Sequence, residues 1–332
     1  MVANLAGQTR PPDRIIVMSD NSTDATVALA REAGAEVWET SGNTHKKAGA
    51  LNQALSRILS ELDDTDYVFI QDADTMPVPQ WLEVALGWAE RNPGAIISGR
   101  YASPPTGSSL LRIIQENEFA RDGRALSRRG NRTRIVVGTS ALFPVATVRA
   151  VIRARLDGTL PGAQDGNVYS TLSITEDYEL TLALKTLGFA TLSPPECDAV
   201  TDVMPTIAAL WRQRIRWQRG AFTDLRVYGL NRVTAWYYAS QAMWCFGMLT
   251  VLMILAQVTL VVAHSGHFSP APVWLGTLPL FIAYRILSVQ RTGAKGMLVA
   301  AALLPETAYD FFRYGVYLRC AWMAMTGRQT QW

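Results

Sequence analysis

Three observations predict an α/β domain on an open, mostly parallel sheet, followed by a C-terminal helical membrane region. Short apolar strands alternate with helical patterns up to about residue 205, the long apolar runs fall between residues 236 and 325, and an arginine-rich belt separates the two. The chain has 332 residues, 49% hydrophobic and 18% charged, with a formal net charge of +3. That is too apolar for an ordinary soluble chain of this size and too charged for one lying wholly in a bilayer. Three cysteines, Cys197, Cys245 and Cys320, stand far apart and form neither a disulfide framework nor a CxxC metal site. No signal peptide is expected, because the N-terminus lacks both a basic region and an apolar core.

The first strand is read over Arg14 to Met18 and breaks at "SDNS". A helix follows, capped by Thr23 or Asp24 and running to Ala33 with Gly34 past its end. "AEVWE" is a second strand, and a helix is expected from about Lys47 to Leu59. "YVFIQDADTMPVP", Tyr67 to Pro79, begins with four apolar or aromatic residues and reads as a third strand. Pro77 and Pro79 lead into a helix from Gln80 to Glu90, and "AIISGRY" makes another strand. From Ser103 to Arg134 the pattern loosens. "RIVVGTSALFP" then gives a strand and a glycine-containing turn, and "SITEDYELTLALKTLGF" gives a helix with Leu180, Leu184 and Leu187 on one stripe.

Residues 206–235 read as a basic interfacial segment: Arg212, Arg214, Arg216, Arg219, Arg226 and Arg232 stand against a single acid, Asp224. Trp236 to Ala263 is long enough to span a bilayer, and Val273 to Val289 is a second, shorter candidate containing Pro279 and Arg285. The third segment, Met297 to Met325, carries Glu306, Asp310, Arg313 and Arg319, so an interfacial or re-entrant course is favoured over a third span. Basic residues place the N-terminal domain and the 290–296 loop in the cytosol and the 264–272 loop outside.

Several motifs carry chemistry, each beside a plainer reading. Asp72 and Asp74 sit at a strand end, where open α/β sheets collect ligands, and alternate residues on an extended chain face one way. A divalent cation bridging a diphosphate would relieve their repulsion, though a solvated turn is also rich in aspartate. Asp20 ends the neighbouring strand, too early to cap the following helix well. The lysines of "HKKAGALN" oppose the helix dipole unless an anion lies near; an exposed basic loop is the alternative. In "TED", Ser173 and Glu176 fit a capping box, which leaves Asp177 to serve as a general base. "QRIRW", Gln213 to Trp217, suits a basic interfacial helix, or an arginine that neutralises a leaving diphosphate beside a tryptophan that stacks on a sugar.

In order and spacing, Asp20, "HKKAGALN", "DAD", "GTSALF", "TED", "QRIRW" and the apolar helices together resemble the membrane-bound glycosyltransferase family 2 enzymes. That processive group includes the cellulose, chitin, hyaluronan and poly-N-acetylglucosamine synthases. The resemblance implies a GT-A nucleotide-sugar fold, inverting single displacement, a donor that is usually UDP-linked, and Mg2+ or Mn2+. Asp20 would contact the nucleotide base, Lys47 the nucleotide, and Asp72 the ribose and diphosphate. Asp74, with Asp72, would hold the metal, and Gly138 and Thr139 would line the sugar pocket. Asp177 would be the catalytic base with Glu176 beside it. Gln213 and Arg216 would hold the diphosphate, and Trp217 the acceptor sugar.

The family's sheet opens with a strand ending near Pro-x-Tyr-Asn-Glu. This chain starts after it, inside the following helix, so the first strand of the sheet is expected to be missing. The expected protein is an integral membrane enzyme of a bacterial-type plasma membrane with a cytosolic active site. Its partners would be a nucleotide sugar, a glycan or lipid-linked acceptor and membrane lipids, with no nucleic acid. Polysaccharide synthesis is favoured. Single-sugar transfer to a lipid or protein, or a non-catalytic scaffold of the same fold, are the alternatives.

Overall fold

The structure is a computed structural model that describes residues 1–102, 109–267 and 272–326, the side chains of 272–275 excepted. Two compact units divide the chain, the first comprising Met1–Thr106 with Asp122–Met204, the second Gly107–Arg121 with Pro205–Trp332.

The first unit runs α1 (Val2–Ala6), β1 (Ile16–Ser19), α2 (Thr26–Glu32), β2 (Glu36–Glu39), α3 (Lys46–Ile58), β3 (Tyr67–Gln71), β4 (Met76–Pro77), α4 (Trp81–Arg91), β5 (Ile96–Ser98) and β6 (Arg100–Ala102). The division falls inside α5 (Leu110–Arg128). The unit then continues with β7 (Ser140–Pro144), α6 (Val145–Leu156), α7 (Glu176–Thr186), β8 (Thr191–Leu192) and β9 (Asp198–Val200). The α2 helix has Ala25 as its N-cap, not Thr23 or Asp24 as expected, because Asp24 folds its carboxylate back one residue ahead of the cap and accepts from Thr26 N at 3.0 Å.

The α/β architecture holds, but the sheet is mixed rather than mostly parallel. Among the described residues the strands form a β1–β2 ribbon, a four-stranded sheet in the order β3-β7-β5-β8, and a three-stranded sheet in the order β4-β9-β6. Pairs β1–β2, β5–β8 and β6–β9 are parallel; β3–β7, β5–β7 and β4–β9 are antiparallel. A parallel strand needs a crossover that returns the chain to the starting end. The chain enters β7 from the other end, so β7 runs back between β3 and β5.

The core lies where α4 covers this sheet. Trp81, Leu82, Ala85 and Ala89 pack with Ile97, Leu142, Leu192 and Cys197. Phe69 of β3 lies 4.6 Å from Trp81, centroid to centroid, and the indole Nε1 donates to Cys197 O at 3.0 Å, so the buried ring keeps its polar atom satisfied. "AIISGRY" is two strands in two sheets, broken at Gly99. A Cβ there would stand 2.0 Å from Ser140 Oγ and 3.2 Å from Ser140 Cβ, so only glycine lets β7 come this close.

The second unit holds the first part of α5 with α8 (Ile207–Tyr228), α9 (Ala235–Ser265), α10 (Pro272–Ser288), a 3-10 turn at Gln290–Thr292, α11 (Gly293–Ala301) and α12 (Leu304–Thr326). Ile215 of α8 packs against Val316 and Cys320 of α12, with Trp211, Phe222 and Phe312 around them. The α9 helix has 31 residues, about 46 Å at the usual rise, and is long and apolar enough to cross a membrane by length and composition. Among the described residues no other helix is, since α10 has 17 residues. Residues 268–271 of the loop read as external lie outside the described residues. The third apolar segment is broken at Leu303, whose φ is +58°. Its charges are paired inside the unit: Glu306 with Arg121 and Arg285, and Asp310 with Arg285.

Candidate functional site

The antiparallel course of β7 builds the site. Gln71, the last residue of β3, pairs with Ser140, the first of β7. The residues before β7 therefore lie beside those after β3, and Asp72 N donates to Thr139 O at 3.1 Å. A parallel β7 would carry Gly138 and Thr139 to the far end of the sheet.

Lys47 arrives from the first turn of α3. Lys46 opens that helix with φ at +52°, a backbone that costs a residue with a β-carbon roughly 1–2 kcal/mol. The turn is held by Asn43, whose Oδ1 accepts from His45 N at 2.9 Å and whose Nδ2 donates to Lys46 O at 2.8 Å. Lys47 Nζ ion-pairs with Asp72, donates to Gly138 O at 3.0 Å and lies 3.8 Å from Glu176 Oε1. Asp177 Oδ2 accepts from Gly138 N at 3.3 Å, so the Gly138 peptide is held on its carbonyl side by a cation and on its amide side by a carboxylate. The helix N-cap is Thr175, not Ser173. Glu176 thus opens α7 instead of standing three residues in, and its carboxylate points to Lys47 where a capping box was expected.

Three acids and one lysine share a half-buried place, and the charges respond. Burial chiefly, then repulsion by Glu176, pushes Asp177 up to about 6, against the pull of Lys47 and the amides of Tyr178 and Gly138. Asp72 is also raised, again by burial first, with Lys47 opposing and Asp74 and Glu176 adding. Asp74 itself is exposed, with Thr75 Oγ1 at 3.4 Å from its Oδ1.

The structure thus brings together Lys47, Asp72, Gly138, Thr139, Glu176 and Asp177, with Asp74 next in chain. Asp20 does not join this network. Its Oδ1 accepts from Thr40 Oγ1 at 2.9 Å and Asn21 Nδ2 at 3.0 Å, and among the described residues no hydrogen bond or ion pair links it to Lys47 or the three acids. Sequence reasoning missed Tyr169. Its buried side chain is raised well out of the usual phenol range by burial, then by the charges of Glu176, Asp177 and Asp72. Asn52, the last residue of "HKKAGALN", clamps the Tyr169 backbone through 2.8 and 2.9 Å bonds. No sequence pattern marks Tyr169; a buried asparagine facing a loop was the available signal.

Gln213, Arg216 and Trp217 lie on α8 of the second unit. At spacings of three and four they share one helix face: Arg216 is exposed, Gln213 and Trp217 are half-buried, and Arg214 and Ile215 are buried.

For a cation, the acids gathered here offer carboxylate oxygens. Among the described residues no group of three or more His, Cys, Asp or Glu is placed to hold a metal. The Asp72–Asp74 pair nevertheless fits the Mg2+ or Mn2+ pattern, in which one or two carboxylates share the ion with phosphate oxygens and water.

A model of glycosyl transferase family 2 matches residues 1–151. Cellulose synthase 1 of Komagataeibacter xylinus is 24% identical over 239 residues, covering 65% of this chain and 13% of its own length. The cellulose synthase catalytic subunit [UDP-forming] of Pseudomonas fluorescens SBW25 is 26% identical over 310 residues, covering 90% of this chain and 36% of its own. This chain therefore spans 13–36% of the length of these two relatives. Among solved structures, the mannosyltransferase PcManGT of Pyrobaculum calidifontis, in complex with GDP-Man and Mn2+, superposes with a TM-score of 0.56 at 20% identity, covering 91% of this chain and 81% of that one. The GT-A fold is common to both. Residues 1–151 of this chain form a glycosyltransferase family 2 domain.

Proposed function

We propose that this chain transfers a sugar from a nucleotide-diphosphate donor to a glycan acceptor at a membrane, with inversion at the anomeric carbon, and that the product is a polysaccharide. One observation carries the reading: in a family 2 domain, the side chains and backbone of Lys47, Asp72, Gly138 and Asp177 converge on one place, with Glu176 3.8 Å from the lysine.

Asp177 is the base. It takes the proton of the acceptor hydroxyl as that oxygen bonds to the sugar C1, while the bond from C1 to the donor phosphate breaks and its electrons leave with the nucleotide diphosphate. A carboxyl at about 6 is ionised at neutral pH yet basic enough to hold the proton it accepts. Asp72 and Asp74 would hold Mg2+ or Mn2+, which supplies charge neutralisation to the diphosphate when bound. Lys47 orients Asp72 and Gly138, and Arg216 and Trp217 serve the diphosphate and the acceptor sugar. The α9 helix anchors the chain, and the family 2 domain works on the cytosolic side. UDP- and GDP-linked sugars are both candidates, given the relatives named above.

The test is nucleotide-diphosphate release from UDP-glucose, UDP-N-acetylglucosamine and GDP-mannose by detergent-solubilised protein, with and without Mn2+, followed by sizing of the product. Release without Mn2+ dependence argues against the Asp72–Asp74 site, and no release from any donor refutes the enzyme reading.

Two variants bear on single residues. Asp74→Ala is expected to remove the Mn2+ dependence of donor binding measured by calorimetry; an unchanged affinity in Mn2+ discards the ligand role. Gly138→Ala would set a methyl 3.2 Å from Lys47 Nζ and 3.4 Å from Asp177 Cβ and Oδ2. Displacing the base by a few tenths of an ångström should cut turnover about tenfold while the thermal midpoint stays near wild type. A fully active Gly138→Ala would show that this peptide does not set the site.

A further inference from the structure

We propose that Arg214, for which the reading above has no role, is a positioning residue that fixes the indole plane of Trp217. The proposal rests on that reading for the assignment of Trp217 to the acceptor sugar.

The guanidinium carbon of Arg214 lies 4.4 Å from the centroid of the Trp217 ring, one helical turn along α8. Arg214 is itself 9% exposed and held from two other helices of the same unit. Its Nη2 lies 2.5 Å from Glu118 Oε2 on α5, and its Nε and Nη2 stand 3.4 and 3.3 Å from Tyr309 Oη on α12. The tyrosine hydroxyl donates to the same Glu118 oxygen at 2.7 Å, and Arg313 lies 3.9 Å from the other. Burial raises the Glu118 carboxyl, but Arg214, Arg313, the Tyr309 hydroxyl and Arg121 outweigh it, so it stands below its usual range and keeps its charge. A buried ion pair of this kind adds little net stability, but it defines a geometry. Here the defined object is a planar cation lying against an aromatic ring. A cation held from two helices restricts the orientations open to the ring that lies under it, the property a sugar-stacking tryptophan requires.

The experiment uses the full chain in detergent micelles, labelled with 5-fluorotryptophan. The fluorine line lost in Trp217→Phe is that of Trp217. Arg214→Lys keeps the buried charge but loses the fork and the flat stacking surface. It should shift and broaden the Trp217 line while those of Trp38, Trp81 and Trp88 in the first unit hold their positions. Tyr309→Phe, which keeps the ring and removes one of the partners of the guanidinium while leaving Glu118, should move the same line less, and it carries the test if the lysine variant does not fold. In steady-state assays with UDP-glucose or GDP-mannose and the matching cello- or manno-tetraose, the acceptor KM should rise about 3–10-fold, the size of an exposed-to-partly-buried cation–π contact, with donor KM unchanged. An unmoved Trp217 line in both variants overturns the proposal. So does a line that moves while donor and acceptor KM rise together, which is the mark of a merely structural residue. If the wild type releases no nucleotide diphosphate, the functional reading fails separately and the fluorine line alone decides whether Arg214 orients the ring.

Discussion

Asp177→Asn should retain donor binding and lose about 10²–10⁴-fold in turnover, the usual worth of a positioned base. Asparagine keeps the shape and can still meet the Gly138 amide through its oxygen, so the turn before β7 and the approach of Lys47 to Gly138 stay in place. It cannot take a proton. In the wild type, kcat/KM should therefore rise with pH through about 6 and level above it, and the residual rate of the variant should lack that limb. Stability should move the opposite way. A carboxyl near 3.9 in the unfolded chain and about 6 in the fold favours the folded state while protonated. That contribution is complete below about pH 4 and is lost as the pH rises through 6. At pH 8 the wild type carries a desolvated charge that also repels Glu176, and the asparagine variant does not. The variant should thus melt higher than wild type at pH 8, with the gap closing toward pH 4. A variant that turns over at the wild-type rate removes Asp177 as base. A limb that persists unchanged in the residual rate of Asp177→Asn would assign it to another group.

The parts of this site legible in the sequence are those built by local rules. Tyr67–Gln71 announced β3 through four apolar or aromatic residues, and the leucine stripe announced α7. The carboxylates were legible because they stand at the ends of such elements. The antiparallel course of β7 was not, since nothing within "GTSALFP" fixes the direction from which the chain arrives, and that direction is what sets Gly138 beside Asp72. The α5 helix escaped for a different reason. Its buried positions include Gln115 and Asn117, and Asn117 donates to Gly296 O and Glu306 Oε1 at 3.1 and 2.9 Å. Only Ile113 and Ile114 join these two amides among its buried positions, so no apolar stripe runs along the helix for a periodicity search to find. The same bonding explains the acids and arginines that made residues 297–325 look unlike a span: Glu306 and Asp310 meet Arg285 and Arg121 within their own unit.

Breaking the ion pair between Arg155 and Glu179 should have the largest effect on stability. Arg155 is on α6 and Glu179 on α7, and their side chains are 2% and 5% exposed. The guanidinium meets the carboxylate with both forks, Nη2 to Oε2 at 2.7 Å and Nη1 to Oε1 at 3.2 Å, while Nη2 also donates to Val168 O at 3.1 Å. Arg155→Met leaves Glu179 charged and buried without that fork, which costs about 3–5 kcal/mol, up to half or more of the stability of a typical domain. Adding Glu179→Met removes the stranded charge. The double variant should recover most of the loss, because a buried pair contributes little beyond an apolar pair of like volume. The cycle reaches the proposed chemistry, because Glu176 and Asp177 form the first turn of the same α7 helix that Glu179 anchors. Arg155→Met should therefore lose turnover at temperatures where wild type is stable, and the double variant should regain it along with its thermal midpoint. A double variant no more stable than the single one would mean that the geometry of the fork, and not the uncompensated charge, holds α7 against α6.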